Sequence, residues 1–184
     1  MAKTYLFLAN GFEELEALSP VDLMRRAGID VTTVSINDGL EVTGANGVTV
    51  KADMTIAGAD FSGADMLIAP GGMPGAQNLH DCEAVREAFK AQNAAGGLIA
   101  AICAAPAVLL ASIGLLDGHR ATCYPGFESV LATAGATHVA ERVVEDGNII
   151  TANGPSSAIP FALALIARLK GADAAATVAS GILL

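Results

Sequence analysis

The chain has 184 residues, 53% hydrophobic and 16% charged, so a single domain over 1–184 with a substantial apolar core is expected. A formal charge of −9 opposes nucleic-acid partners and anionic membrane surfaces, and no uninterrupted apolar stretch approaches transmembrane length. The short apolar start meets Glu13, Glu14 and Glu16 at once, unlike a signal peptide, and three cysteines without metal-ligand spacing fit a reduced, cytoplasmic protein.

Strand-length apolar segments alternate with helical patterns along the chain, as in a parallel sheet covered by helices. Residues 3–9 read as a first buried strand. Residues 13–27 read as a helix with acids in its first turn and Arg25-Arg26 in its last, both suiting the helix dipole. Pro20 lies inside that pattern, so a kink or break is expected there. Residues 30–36 form a β-branched strand, and 41–43 with 47–51 read as a hairpin around Gly44-Ala45-Asn46-Gly47.

Residues 65–69 are a further buried strand ending in Pro70-Gly71-Gly72. An amphipathic helix over 82–95 sets Val85 and Phe89 four apart. Residues 97–102 read as a strand, 104–112 as a helix, and 121–123 and 149–151 as late strands. Residues 156–170 are strongly apolar and helical, with Pro160 dividing the helix near its first turn.

The chemistry concentrates where the strand ending at Ile102 runs into a helix through Cys103. Two positions before and after it stand Ala101 and Ala105, as a nucleophile elbow needs, because so tight a turn admits only small neighbours. Pro106 suits the first helical turn. A thiol facing a helix N-terminus has its thiolate stabilised, so a lowered pKa is expected for Cys103. The competing reading is a buried structural cysteine, the ordinary fate of a free thiol. Pro70–Gly75 follows a strand, and its backbone N–H groups can reach a ligand as an oxyanion hole. An ordinary turn is the alternative, and no phosphate loop follows.

Glu13, Glu14 and Glu16 also follow a strand end. One of them can be the acid–base partner of the thiol, and composition does not choose among them. His80, His119 and His138 read as surface or packing residues. The residue after Cys103 is Ala104, so the imidazole of a Cys-His peptidase is missing.

Several motifs in order carry a resemblance: Gly11-Phe-Glu-Glu-Leu-Glu16, Pro20-Val-Asp-Leu-Met-Arg-Arg-Ala-Gly28, Pro70-Gly-Gly-Met-Pro-Gly-Ala-Gln-Asn-Leu79, Ala100-Ala-Ile-Cys-Ala-Ala-Pro106 and Asn153-Gly-Pro155. With them the chain resembles the ThiJ/PfpI superfamily, in its branch of parkinsonism-associated protein deglycases and their bacterial relatives. The resemblance implies an α/β, flavodoxin-like three-layer sandwich with a mainly parallel sheet, and a homodimer. It makes Cys103 the nucleophilic, oxidisable cysteine and Glu16 the glutamate sharing a proton with it. Gly72 and Ala104 would supply oxyanion N–H groups, and Arg26 would lie near the site at the dimer interface. The implied activity is cofactor-free and acts on methylglyoxal, glyoxal or their adducts. Redox sensing or a chaperone role through the same cysteine is the alternative. Many relatives have His-Pro where this chain has Tyr124-Pro125, so Tyr124 takes the histidine's place beside the substrate.

Overall fold

The elements of the computed structural model, which describes residues 2–184, follow the alternation of the sequence. In chain order they are β1 (Lys3–Leu8), α1 (Glu14–Arg26), β2 (Asp30–Ser35), β3 (Glu41–Thr43), β4 (Thr49–Lys51), β5 (Met54–Thr55) and β6 (Met66–Ala69). Next come α2 (Gly75–Asp81), α3 (Glu83–Ala94), β7 (Leu98–Ile102), a π-helical segment (Pro106–Ala111), β8 (Arg120–Ala121), α4 (Glu128–Thr133) and β9 (Thr137–His138). The chain finishes with β10 (Val143–Asp146), β11 (Ile149–Ala152), a 3-10 turn (Pro155–Ser157), α5 (Ala158–Lys170) and α6 (Ala172–Gly181).

A seven-stranded sheet runs in the order β10-β11-β7-β6-β1-β2-β5. All its pairings are parallel except that of the edge strand β10 with β11. β6 is buried at every position, which explains why Met66-Leu-Ile-Ala69 shows no polar alternation: helices cover both faces. On one face α1 packs against α5, and α5 against α6. On the other lie α2, α3, α4 and the π-helical segment. Phe7 sits at the centre, with ring centroids of Phe61 and Phe89 at 5.1 and 5.6 Å. This is the flavodoxin-like α/β sandwich implied by the resemblance.

The connectivity locates the functional crevice. From β1 the chain steps outward to β2 and β5, then returns past β1 to build β6, β7 and β11. The direction of winding therefore changes between β1 and β6, and ligands in open parallel sheets bind beyond the carboxyl ends of such strands. No helix among the described residues is long and apolar enough to cross a membrane.

Local departures from expectation have local causes. α1 runs as one helix through Pro20, which is buried, so tertiary packing holds the turn despite the missing N–H. The helix expected from residue 156 is divided at Ser157–Ala158. Pro160 falls within the first turn of α5, where no N–H is required of it. The strand expected at 121–123 is the two-residue β8, which pairs with β9 in a side sheet and not with the main sheet. The hairpin holds its expected place, with Val42 opposite Val50.

Candidate active site

Cys103 occupies the turn between β7 and the π-helical segment with a φ of 66°, a left-handed backbone that non-glycine residues rarely adopt. Such a conformation costs about 1–3 kcal/mol and persists only where the surroundings hold it. Two main-chain bonds do so: Cys103 donates its N–H to Ala152 O at 2.9 Å, and its own carbonyl accepts the N–H of Tyr124 at 2.8 Å. Ala101 and Ala105 are fully buried on either side, so larger side chains would collide there. The residue is 8% exposed, slightly more than its neighbours Ala101, Ala104 and Ala105. The N–H groups of Gly72 and Ala104 bear on the sulfur and favour its anion.

The three acids after β1 have three different fates. Glu13 is the N-cap of α1, its Oε2 accepting the N–H of Glu16 at 2.9 Å. Glu14 turns to the hairpin, accepting from the N–H and side chain of Asn46, each at 2.8 Å. Glu16 points inward with 0% exposure. Its Oε2 accepts the N–H of Gly71 at 2.9 Å, and its Oε1 is buried without a hydrogen-bond partner of ordinary geometry. Gly71 has to be glycine, because a Cβ there would lie 2.6 Å from both Cys103 Cβ and Glu16 Oε2. Gly72, at φ 86°, is packed against the backbone of Gly11 to Glu13, which ties the ends of β1 and β6 together.

Burial pushes the Glu16 carboxyl up to about 7, with interaction with the Cys103 thiol pulling down and the charge of Glu13 pushing further up. The Cys103 thiol is pushed up to about 12, first by burial and then by the charge and hydrogen bonding of Glu16, against the lowering pull of the Gly72 and Ala104 N–H groups. The lowered thiol pKa expected from the helix N-terminus is therefore reversed. Desolvation and a neighbouring carboxylate outweigh the dipole. Two such groups titrate as a pair, and the sulfur becomes an anion most readily when Glu16 carries the proton.

The structure thus brings Cys103, Glu16, Gly72 and Ala104 into one crevice. Tyr124 adjoins it through its main-chain bond to Cys103, and its side chain is 46% exposed. Arg26 is not part of the site within one chain. It lies at the far end of α1, about 15 Å along the helix from Glu16, exposed and paired with Asp22 at 3.0 Å. A place near the site would require a second copy. Gly71 was missed in the sequence, where the Gly-Gly pair after a strand was its only signal. Cavities of about 450 Å³ beside Phe61 and Ala88, and of about 390 Å³ beside Ser112 and Val130, lie away from Cys103.

The sequence pattern of the DJ-1/PfpI family matches residues 2–168. The Parkinson disease protein 7 homolog of Danio rerio is 40% identical over 184 residues, covering 99% of this chain and 97% of that protein. Protein DJ-1 homolog A of Arabidopsis thaliana is 40% identical over 99% of this chain, which spans only 47% of that longer protein. The glutathione-independent glyoxalase DJR-1.2 of Caenorhabditis elegans is 33% identical, over 88% of this chain and 84% of its own. Among solved structures, oxidized Toxoplasma gondii DJ-1 superposes with a TM-score of 0.95 at 40% identity, over 100% of this chain and 98% of that one.

Proposed function

The chain belongs to the DJ-1/PfpI family, and from that premise we propose that it is a cysteine-dependent, cofactor-free enzyme acting on methylglyoxal, glyoxal or their adducts. The observation that carries the reading is the fully buried Glu16, its pKa pushed up to about 7, beside Cys103 in its strained turn. A carboxyl that gains and loses a proton near neutrality suits general acid–base work. The glyoxalase name of the Caenorhabditis elegans relative supports the same substrate class.

The proposed steps use the groups around Cys103. The Cys103 sulfur adds to the aldehyde carbon, and the thiol proton passes by way of Glu16 to the former carbonyl oxygen, giving a hemithioacetal. In this reading the N–H groups of Gly72 and Ala104, which favour negative charge at the sulfur, also hold the oxyanion that develops during addition. Glu16 as carboxylate then removes the proton from the carbon bearing sulfur, forming an enediolate. It returns that proton to the adjacent carbon while the hydroxyl proton passes to the enediolate oxygen, leaving a thioester of lactate. Water cleaves the thioester, so that methylglyoxal and water become lactate and free thiol. No redox partner is needed, because one carbon is oxidised as its neighbour is reduced.

Purified, peroxide-free protein and its Cys103→Ala variant should be assayed with methylglyoxal while lactate is followed. Lactate formation by the parent and none by the variant is expected. No turnover by the parent would move the cysteine's role to redox sensing.

A further inference from the structure

Three hydrogen bonds close a ring across the ends of β1 and β6. Glu13 donates its N–H to Gly71 O at 3.0 Å, Gly71 donates to Glu16 Oε2 at 2.9 Å, and Glu16 donates its N–H to Glu13 Oε2 at 2.9 Å. Glu13 thus enters the ring twice, through its backbone and its carboxylate. Glutamate is not among the favoured N-cap residues, which are Asn, Asp, Ser and Thr. A shorter side chain would cap as well, so capping alone gives no reason for the longer acid.

We infer that Glu13 is a positioning residue that fixes Glu16 against Gly71 and, through its negative charge, keeps the proton on Glu16. The inference rests on the reading of Glu16 as the acid–base group. From α1 the nearest charges to Glu16 are Glu13 and Glu14, and Glu14 is committed to Asn46 of the hairpin. From the end of β7 comes Cys103, the Thr122–Phe127 loop carries Cys123 and Tyr124, and Pro70–Gly75 carries no ionisable group. Alongside burial and the opposing pull of the thiol, the Glu13 charge pushes the Glu16 carboxyl upward.

The test is a carboxyl-carbon NMR titration of glutamate-labelled protein, with the Glu16 resonance assigned by its disappearance in Glu16→Gln. Glu13→Gln keeps an acceptor for the N-cap bond and removes the charge. The Glu16 midpoint should move to lower pH, because an anion that opposed ionisation is gone, while the melting temperature stays close to that of the parent. Glu13→Asp, which keeps charge and cap, should hold the midpoint nearer the parent value. An unmoved midpoint in Glu13→Gln, or an equal displacement in Glu13→Asp, overturns the inference. The titration needs no aldehyde turnover, so its failure is distinguishable from failure of the enzymatic reading, which the lactate assay decides.

Discussion

Tyr124 is fastened to Cys103 through the main chain alone, N–H to carbonyl at 2.8 Å, while its phenol makes no hydrogen bond among the described residues. Its ring lies over Gly154, where a Cβ would come within 3.2 Å of Cδ2. Substituting the side chain therefore leaves the elbow's tether intact. Tyr124→Phe is expected to retain kcat/KM within about tenfold, the worth of one modest hydrogen bond of ~1.4 kcal/mol. Glu16→Gln is expected to abolish turnover. If Tyr124→Phe is as inactive as Cys103→Ala while Glu16→Gln still turns over, proton transfer belongs to another residue.

The buried carboxyl also sets a pH dependence of stability. Glu16 holds its proton in the folded chain up to about 7, whereas an ordinary glutamate releases it near 4.5. The folded state therefore binds more protons between those values. The contribution to stability is complete below about 4.5 and is lost as pH rises through about 7, on the order of 3 kcal/mol in total. The carboxylates held low by their hydrogen bonds, such as Glu14 and Asp53, act in the opposite sense and at lower pH. Melting temperatures should rise from pH 8 to pH 5.5 in the parent and stay nearly flat in Glu16→Gln. A parent that is less stable at pH 5.5 would refute this.

Thiol labelling separates the opposing influences on Cys103. Removing the Glu16 charge lets the thiol pKa fall, and each unit recovered is about tenfold in thiolate at neutral pH. Iodoacetamide at pH 8 should accordingly label Cys103 faster in Glu16→Gln than in the parent. Cys123 is 2% exposed and pushed up to about 11 by burial and then by Glu128, so it should remain unlabelled while the protein is folded. Mass spectrometry of the peptides reads both, and slower Cys103 labelling in Glu16→Gln would contradict the arrangement.

Gly71→Ala places a methyl against Cys103 and Glu16 together. A loss of about 1–3 kcal/mol is expected from overpacking, with turnover falling to background. Gly39→Ala is the control, since a Cβ there meets nothing within 4 Å. It should stay within about 0.5 kcal/mol of the parent. Denaturant unfolding of both variants makes the comparison, and equal losses would show that crowding at the site is not the cause.

A homodimer through α1 is expected in solution. Leu15 on α1 is 58% exposed, and Met73 on the loop after β6 is also exposed. Large apolar side chains on segments beside the crevice gain by being covered. Light scattering at micromolar concentration should give twice the chain mass, and Leu15→Glu should weaken the association. A monomeric parent would exclude the interface and, with it, any site role for Arg26.

Much of the frame was legible because parallel strands buried on both faces read as unbroken apolar runs: Leu67-Ile68 and Ile99 to Ile102 leave little room for another reading. α2 was hidden by Pro74 and Gly75 at its start, and β5 and β10 are too short or too polar to carry a period. The elbow at Cys103 was readable from Ala101 and Ala105. The direction of its pKa was not, because dipole reasoning sees only the local chain, while Glu16 and the burial come from segments far away in sequence. Arg26 had no signal of its own beyond the resemblance.

The crevice is drawn from Glu13–Glu16, Gly71-Gly72, Cys103-Ala104 and Tyr124, which only the stacking of β1, β6 and β7 brings to one edge. Pairings so distant along the chain form slowly, since much of the polypeptide must be in place before any of them is rewarded. Until those strands have stacked, Cys103 is an ordinary thiol that the Glu16 carboxyl does not restrain. An oxidant that meets the chain before it folds therefore acts on different chemistry from that of the finished molecule.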